Sequence, residues 1–260
     1  MPFGLSFEPL AGGSGLSAAR VPWDSELLGF SVIEMRAGGV HPELAGRALR
    51  DWLAREASHP LLLVLRTDPA DVALGETLAR IGFYPAELSY ELSIPLRRLG
   101  SVAAHGRPGA RLRPAEPRDL PALDEIARSA FRADRFHRDP HVPGTGADGR
   151  YASWIAEGMT AGEPICVYEN ERTSETMGFF HLRETGARSI DIRLAAMHPR
   201  FQGTGLGAVM YEAVLSEWRD RGFDSATTRI SASNLEVVNV FARLGFTFCR
   251  AQLTWHLWRS

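Results

Sequence analysis

The chain has 260 residues, of which 45% are hydrophobic and 23% are charged, and its formal net charge at pH 7 is −2. This composition is ordinary for a globular protein, and the length allows one large domain or two small ones. The near-neutral charge gives no electrostatic reason to expect nucleic acid or an anionic membrane as a partner. The longest apolar run, 61–65, is too short to span a bilayer.

Two features of the composition exclude further classes of protein. All 29 basic residues are arginine, and Walker A loops, protein kinases and Schiff-base enzymes each need a lysine. The two cysteines, Cys166 and Cys249, have neither disulfide-like nor metal-ligand spacing. With no signal peptide evident at the N-terminus, we expect a reduced, cytoplasmic setting and no metal site.

The first half of the chain, 1–98, contains five segments with the patterns of strands or helices. They are a strand at 23–37, a helix at 43–56, a buried strand at 61–66, a helix at 73–81 and a strand at 82–96. The next stretch, 99–110, is rich in glycine, alanine and serine and lacks periodicity, which is typical of a linker.

The second half, 111–260, shows the order β-α-α-β-β-β-α-β-α-β. Its strands are predicted at 110–115, 164–169, 176–184, 189–197, 224–231 and 246–258, and its helices at 116–131, 150–159, 206–221 and 234–244. A polar stretch at 132–149 separates the first two helices. This alternation predicts an α/β fold with a mixed sheet.

A repeated sequence indicates that the two halves are related. Residues 78–85 read LARIGFYP, and residues 241–248 read FARLGFTF. The helix and strand around each copy follow the same order, so we predict two related α/β units in tandem. The units are a truncated domain at 1–98 and a complete domain at 111–260, joined by the linker 99–110.

A glycine-rich loop joins a strand to a helix in the second half, where 197–210 read MHPRFQGTGLGAVM. Its glycines allow backbone N–H groups to approach a phosphate, and the helix N-terminus adds partial positive charge. Gly203, Gly205 and Ala208 also fit the dinucleotide motif G-x-G-x-x-A, with Asp224 near the expected acidic position. Only about 50 residues follow, too few for a doubly wound sheet, so a dinucleotide-binding oxidoreductase is the lesser alternative.

The same region resembles the GNAT acetyltransferase superfamily. Its acetyl-CoA loop has the form Gln/Arg-x-x-Gly-x-Gly/Ala, and Gln202, Gly205 and Gly207 match it after a strand that ends in AAMHP. Asn234 matches the Asn that begins the next helix. Phe241 stands at the aromatic position seven residues later, before the LGF at 244–246.

Other segments narrow the resemblance to one group within the superfamily. WDSELLGF at 23–30, RFHRDP at 135–140 and YASW at 151–154 are similar to segments of sugar N-acetyltransferases of the dTDP-fucosamine acetyltransferase type. The resemblance implies a GNAT fold with a truncated GNAT-like unit before it. It also implies transfer of an acetyl group from acetyl-CoA to the amine of a small molecule, in this group a nucleotide-linked amino sugar.

The resemblance also implies roles for individual residues. The loop would hold the CoA pyrophosphate through backbone donors, the strand edge would pair with the pantetheine amides, and the helix-opening Asn would bind the CoA arm. The residues in these positions are Ala195, Ala196, Met197, Gln202, Gly203, Thr204, Gly205, Leu206, Gly207, Ala208, Asn234 and Phe241.

Phe241 departs from the family pattern, because the usual residue there is a Tyr whose hydroxyl protonates the leaving thiolate. Three readings stay open. The thiolate leaves unassisted, since a thiol pKa near 8.5 makes it a tolerable leaving group. Water or another residue such as Tyr211 donates the proton. Alternatively, the chain is a non-catalytic module that binds acyl-CoA without turnover.

The remaining site residues are predicted from position. Glu184, at a strand end, is the first candidate for the general base, with His181, Asp191 and His198 as alternatives.

Arg135, His137 and Asp139 are the predicted substrate contacts, because arginine there suits a diphosphate. Trp154 is expected in the core. The half without a phosphate loop also offers a surface for homodimerisation.

Overall fold

The computed structural model describes residues 5–10, 13–99, 109–186 and 188–260. Residues 100–108 of the predicted linker therefore lie outside the described residues. Within the described ranges, every helix falls short of the length and apolar character that a membrane span requires.

The structure contains eleven strands in these ranges. They are β1 (Glu8–Pro9), β2 (Leu16–Arg20), β3 (Ser31–Ala37), β4 (Leu61–Thr67), β5 (Tyr84–Pro95), β6 (Ala110–Pro114), β7 (Ile165–Asn170), β8 (Thr176–Thr185), β9 (Ser189–Met197), β10 (Ser225–Ser231) and β11 (Thr247–Arg259).

Eight α-helices accompany the described strands. They are α1 (Pro22–Leu28), α2 (Pro42–Arg55), α3 (Val72–Ile81), α4 (Leu120–Ala130), α5 (Arg135–Arg138), α6 (Gly144–Thr160), α7 (Leu206–Asp220) and α8 (Leu235–Arg243). Local sequence sets their ends: Asp71 accepts a hydrogen bond from the Leu74 amide at the start of α3, and Gly82, at φ 108°, ends it in the left-handed region.

All the strands belong to one mixed sheet in the order β1-β2-β3-β4-β11-β5-β10-β9-β8-β7-β6. Helices α2, α3, α7 and α8 pack on one face, and α1, α4, α5 and α6 pack on the other. β4 shows why both faces are covered: Leu61 and Leu63 point to the first face and Leu62 and Val64 to the second, all at most 2% exposed. The predicted α/β fold with a mixed sheet is confirmed.

The last strands of the two halves are exchanged at the centre of this sheet. β11, from the second half, lies between β4 and β5 of the first half and is antiparallel to both. β5, from the first half, lies between β10 and β11 of the second half and is antiparallel to both. Each half thus completes the hydrogen-bonding edge of the other. The division into 1–98 and 111–260 stays a prediction about chain organisation.

Each half also contains one parallel pair, β3 with β4 and β9 with β10, connected by a helix. These matching pairs lie on opposite sides of the exchanged strands. Because β10 has a parallel neighbour only in β9, this region lacks the parallel strands on both sides that a doubly wound sheet would supply.

The prediction for the start of the first half is wrong in part. Residues 23–37 were predicted as one strand, but α1 occupies Pro22–Leu28, and the strand begins only at Ser31. Pro22 fits the first turn of a helix, and Gly29, at φ 78°, ends that helix in the left-handed region. β2, at Leu16–Arg20, was not predicted.

The strand exchange predicts that the halves stay together after the connection between them is cut. A protease site introduced between residues 99 and 109 should be cleaved without separating the fragments on size-exclusion chromatography. Fragment 109–260 produced alone should lack a cooperative unfolding transition by circular dichroism, because β10 and β11 lose the strand between them. Fragments that separate without denaturant would contradict this expectation.

Candidate active site

The candidate active site begins where β9 and β10 separate. They pair in parallel only from Ser189 with Ser225 to Ile192 with Thr228, although β9 continues to Met197. On its other side, β9 stays paired with β8 as far as Met197. The β10-facing edge of β9 beyond Ile192 is therefore free to pair with an extended ligand.

A β-bulge in β9 lies at the same point. His181 pairs with Leu194 and Leu182 pairs with Ile192, which leaves Arg193 without an opposing residue. The bulge reverses the faces of the strand: Ile192 packs with the cluster on the α7 and α8 side, whereas Leu194 packs with the α4 and α6 side. Bulges of this kind are common beside active sites because they re-aim the backbone and side chains.

A cleft of about 960 Å³ runs from this gap across the sheet to the strands of the first half. Its lining includes Ala195, Asn234, Tyr211 and Phe241 at the gap, and Glu34, Arg66, Glu87 and Arg135 at the far end. The exchange of β5 and β11 is what makes the cleft continuous between the two halves.

The glycine loop stands between the end of β9 and the start of α7. Gly203 and Gly205 have φ of 72° and 78°, in the left-handed region, and Gly205 caps α7 without a side chain. A Cβ added to Gly203, Gly205 or Gly207 would meet nothing within 4 Å. The loop thus presents open space at a helix N-terminus whose first amides lack intrahelical partners, a suitable place for a phosphate.

Two polar side chains of this loop make local contacts. The Gln202 amide donates to the Met197 carbonyl at 3.1 Å, and the Thr204 hydroxyl donates to the Phe201 carbonyl at 2.6 Å. The first bond ties the loop to the end of β9, and the second lies within the loop. The backbone amides at the start of α7 stay available to a ligand.

Asn234 and Phe241 lie at opposite ends of α8. The Asn234 side chain caps the helix by accepting a hydrogen bond from the Val237 amide at 3.4 Å, and it lines the cleft. Phe241 is 2% exposed, and its ring packs against Tyr211 and Phe246 at centroid distances of 4.9 and 4.7 Å. No proton donor stands at position 241 itself.

Tyr211, on α7, places a phenol ring directly beside Phe241. It lines the cleft, and its hydroxyl has no hydrogen-bond partner within the described residues. Burial among aromatic rings raises the pKa of Tyr211 above its usual value. The phenol therefore remains protonated across the neutral pH range.

A buried ionic cluster holds Arg193 at the bulge. Glu163 accepts hydrogen bonds from His181, Arg183 and Arg193, the last at 2.6 Å. Burial would raise the pKa of Glu163, but the bonds from Arg183 and His181 and the charge of Arg193 hold it at about 2. Glu163 is therefore ionised and keeps the Arg193 side chain in one orientation.

Two buried N–H donors in this part of the described cleft have no partner. They are Nη2 of Arg193 and the indole Nε1 of Trp154, whose ring lies 5.6 Å from the Arg193 guanidinium carbon. Trp154 was predicted as a core residue; it packs, partly buried, against the core on the α4 and α6 side and also lines the cleft. An unpaired buried donor costs free energy, so both favour a ligand that brings hydrogen-bond acceptors.

Asp191 is the carboxylate nearest to the gap between β9 and β10. It lines the cleft and accepts a hydrogen bond from the Thr227 hydroxyl at 3.3 Å. Burial raises the pKa of Asp191 even though Thr227 and Arg193 oppose the shift. A carboxylate with a raised pKa is a stronger base than a solvated one.

The structure does not bring Glu184 to the cleft. Glu184 is exposed, and it pairs across the sheet with Ile190, whose side chain belongs to the core on the α7 and α8 side. His181 is fully buried against Glu163, and His198 contacts Glu125 at 3.4 Å outside the cleft. Of the four candidates for the base, only Asp191 lines the cleft.

Of the three predicted substrate contacts, only one lines the cleft. Arg135 lines the cleft, with Glu87 at 3.6 Å. His137 instead bridges two carboxylates, and Asp139 is fully buried with His256 at 2.6 Å. Both hold the segment around α5 in place and do not reach the cleft.

Sequence reasoning missed the contribution of the first half to the cleft. Glu34 and Arg66 lie in largely apolar strands and form an ion pair at 2.6 Å. The sequence signal was the presence of charged residues inside these strands, two in β3 and one in β4, at positions that face the cleft. Within the described residues, no group of three or more His, Cys, Asp or Glu side chains is placed to hold a metal ion.

A family model described as an acetyltransferase (GNAT) domain matches residues 110–247, just over half of the chain. The chain is 24% identical to dTDP-fucosamine acetyltransferase from Escherichia coli over 247 residues, which cover 94% of this chain and 95% of that protein. It is 22% identical to the spore coat polysaccharide biosynthesis protein SpsD from Bacillus subtilis over 151 residues. That match covers 58% of this chain and only about half, 52%, of SpsD.

Solved structures share the fold. A GCN5-related N-acetyltransferase from Sphaerobacter thermophilus has a TM-score of 0.67 at 15% identity, covering 94% of this chain and 76% of its own. A tandem GNAT protein from the clavulanic acid biosynthesis pathway has a TM-score of 0.59 at 16% identity, covering 87% of this chain and 75% of its own.

Proposed function

The chain belongs to the GNAT acetyltransferase family, and from that premise we propose that it transfers the acetyl group of acetyl-CoA to the amine of an amino sugar in nucleotide-linked form. The observation that carries the proposal is the glycine loop, which lies beside the free edge of β9 at the point where β9 and β10 separate. The match to dTDP-fucosamine acetyltransferase over nearly the whole of both chains supports the sugar acceptor.

The residues present fit acetyl-CoA as co-substrate. The amides at the start of α7 and the open space above Gly203, Gly205 and Gly207 suit a pyrophosphate. The edge of β9 from Ala195 to Met197 offers backbone groups to the pantetheine amides, as an added strand would require. Bound in this way, acetyl-CoA supplies an activated acetyl carbonyl at the bulge in β9.

The reaction needs no covalent intermediate on the protein. The acceptor nitrogen forms a bond to the acetyl carbon, and the carbon–sulfur bond breaks. The electron pair of the broken bond leaves with the sulfur as the CoA thiolate. The backbone at the bulge stabilises the negative charge that develops on the carbonyl oxygen. Asp191 takes the proton that the amine must lose, because it is the carboxylate in the cleft with a raised pKa.

Tyr211 is the proton donor that we assign to the leaving thiolate. Phe241 has no proton to give, and the Tyr211 ring packs against it at 4.9 Å in the same cleft. Burial raises the pKa of Tyr211, so its hydroxyl stays protonated and can donate a hydrogen bond to the sulfur as negative charge develops there. A thiolate, with a pKa near 8.5, can still leave slowly without help.

The wall of the cleft next to the bulge suits a sugar ring. Phe131, Tyr151 and Trp154 form a chain of aromatic contacts with centroid distances of 4.2 and 5.9 Å. Their faces can cover the apolar side of the sugar ring, and the unpaired donors of Trp154 and Arg193 can bind the sugar oxygens.

We propose that the chain is divided into the units 1–98 and 111–260, and we assign the acetyl-CoA end of the cleft to the second unit.

The first prediction concerns acetyl-CoA. Wild-type protein should release free thiol from acetyl-CoA when a nucleotide-linked amino sugar is supplied, and Gly205→Glu should weaken acetyl-CoA binding by at least about tenfold in calorimetry. The substitution adds a charge that repels pyrophosphate and a strain of roughly 1–2 kcal/mol at positive φ. The control is Gly222→Glu, which adds the same charge at φ 92° beyond the other end of α7. Equal losses in both variants would contradict the proposed loop site.

A second prediction separates the two carboxylates proposed as bases. Asp191→Asn should lower kcat/KM by about 100-fold or more, the range for loss of a general base, whereas Glu184→Gln should change it less than about twofold. In wild type, kcat/KM should fall as pH drops through the raised pKa of Asp191, and the Asn variant should lose this dependence. A large loss in Glu184→Gln instead would restore Glu184 as the base.

A third prediction concerns the general acid. Tyr211→Phe should lower kcat by about 10-fold to 100-fold with little change in acetyl-CoA binding, because it removes only the hydroxyl. Adding Phe241→Tyr to that variant should restore most of the rate, since the new phenol lies beside the lost one. Unchanged kcat in Tyr211→Phe across the pH range would mean that the thiolate leaves without this residue.

A further inference from the structure

Five arginines surround the part of the cleft that lies over the exchanged strands. They come from both halves of the chain, on β3, β4, α5, β10 and β11, and all of them line the cleft: Arg36, Arg66, Arg135, Arg229 and Arg250. We call this set the arginine cluster.

Strand register places four of the five arginines in two rows across the sheet, and Arg135 comes from α5. In the first row Arg36 pairs with Arg66, which pairs with Thr254 of β11. In the second row Arg250 pairs with Glu91, which pairs with Arg229. Cross-strand partners lie on the same face about 5 Å apart, so the arginine side chains of both rows lie on the cleft side of the sheet.

The cluster has more positive charge than its carboxylates balance. Arg66, Arg135 and Arg229 have carboxylate partners in Glu34, Glu87 and Glu91. The other two arginines have no carboxylate partner within the described residues. The five arginines of the cluster are thus paired with only three carboxylates within the described residues, an excess of two positive charges.

The guanidinium groups of the two rows are close enough to repel one another. The pKa of Arg66 falls to about 10, first because the group is buried and then because Arg135 and Arg229 lie near, although Glu34 opposes the shift. Holding like charges together in a partly desolvated cleft destabilises the free protein. An anion bound among them would relieve that repulsion.

Polar atoms between the rows also lack partners. The buried Arg135 Nε has no hydrogen bond within the described residues, and neither has the Thr254 hydroxyl. The side-chain oxygen of Gln252, between the rows on β11, is also without a partner there. Buried polar groups in folded proteins are normally satisfied, so these atoms favour a polar ligand over an apolar one.

We propose that the arginine cluster binds a phosphate or diphosphate group carried by the acceptor, next to the sugar that is acetylated. This proposal rests on the proposed function, and it assigns the acceptor anion to the first half and the exchanged strands. Planar guanidinium groups bind phosphoryl oxygens in pairs, and a diphosphate brings two negative charges to balance the two unpaired arginines of the cluster.

The position of the cluster relative to the reaction centre supports the assignment. Thr227, which contacts Asp191, and Arg229 are two residues apart on β10, and both line the cleft. Two residues along a strand span about 6.6 Å. An anion at Arg229 would therefore lie roughly one sugar ring from the proposed base, as expected for a phosphate on one ring carbon and an amine on another.

The test compares Arg250→Ala with Arg47→Ala in the full-length chain. Arg250 is exposed and has no carboxylate partner within the described residues, so its loss should leave the fold intact, and Arg47 is an exposed arginine on α2, on the other face of the sheet. Acetylation is measured with the free amino sugar, its 1-phosphate and its nucleoside diphosphate form. For the phosphorylated acceptors, kcat/KM should fall about tenfold in Arg250→Ala only, the loss expected for one charge-assisted hydrogen bond.

The acceptor series identifies the source of the anion. If kcat/KM is the same for the 1-phosphate and the nucleoside diphosphate form, the cluster binds one phosphoryl group. If kcat/KM is higher for the nucleoside diphosphate form, the cluster binds a diphosphate. If the free amino sugar reacts as well as both, or if Arg250→Ala and Arg47→Ala behave alike, the proposal is wrong.

A binding measurement separates this proposal from the proposed function. Inorganic pyrophosphate is titrated by calorimetry into protein saturated with CoA, so that the glycine loop is already occupied. Binding that weakens about tenfold in Arg250→Ala, and not in Arg47→Ala, would support the cluster as an anion site even if every amino sugar fails to react. Absence of pyrophosphate binding under these conditions would overturn it, whatever the acetylation assay shows.

Discussion

The antiparallel pairing of β5 with β11 is the interaction on which the rest of the structure depends. Each strand is the last of its half, and each lies inside the part of the sheet that the other half builds. The halves therefore share backbone hydrogen bonds and one continuous sheet, where two separate domains would share only side-chain contacts. Because the sheet is continuous, a cleft that starts in one half can end in the other.

The cleft combines two local irregularities with that continuity. β9 leaves β10 after four paired residues, and the bulge at Arg193 turns the side chains of Ile192 and Leu194 toward opposite faces of the sheet. Glu163 then fixes Arg193 at the bulge. The proposed acetyl-CoA end consists of backbone groups and open space, whereas the proposed acceptor end is lined by charged side chains from strands of both halves.

The chemistry of the site is arranged differently from the pattern that the family resemblance implies. Phe241 packs its aromatic ring against Tyr211, and the hydroxyl at this place belongs to Tyr211 on a different helix. The base that we propose, Asp191, lies half-buried in the cleft, whereas the strand-end Glu184 faces the other side of the sheet. The proposed acid thus lies beside the expected position but on another helix, and the proposed base lies on the opposite face of the sheet from the residue that sequence position favoured.

The sequence by itself determined the α/β class, the strand and helix order of the second half and the glycine loop, because periodicity and positive-φ glycines are local properties. It also indicated the family, through Gln202, Asn234 and the residues around them. Only the tertiary structure decided the strand exchange, the bulge and the membership of the cleft. Pairing between residues as distant as Tyr84 and His256 leaves no mark on local pattern. Whether Asp191 or Glu184 faces the cleft, and whether Arg66 meets Arg229, depends on strand register, since a shift of one residue turns a side chain to the opposite face.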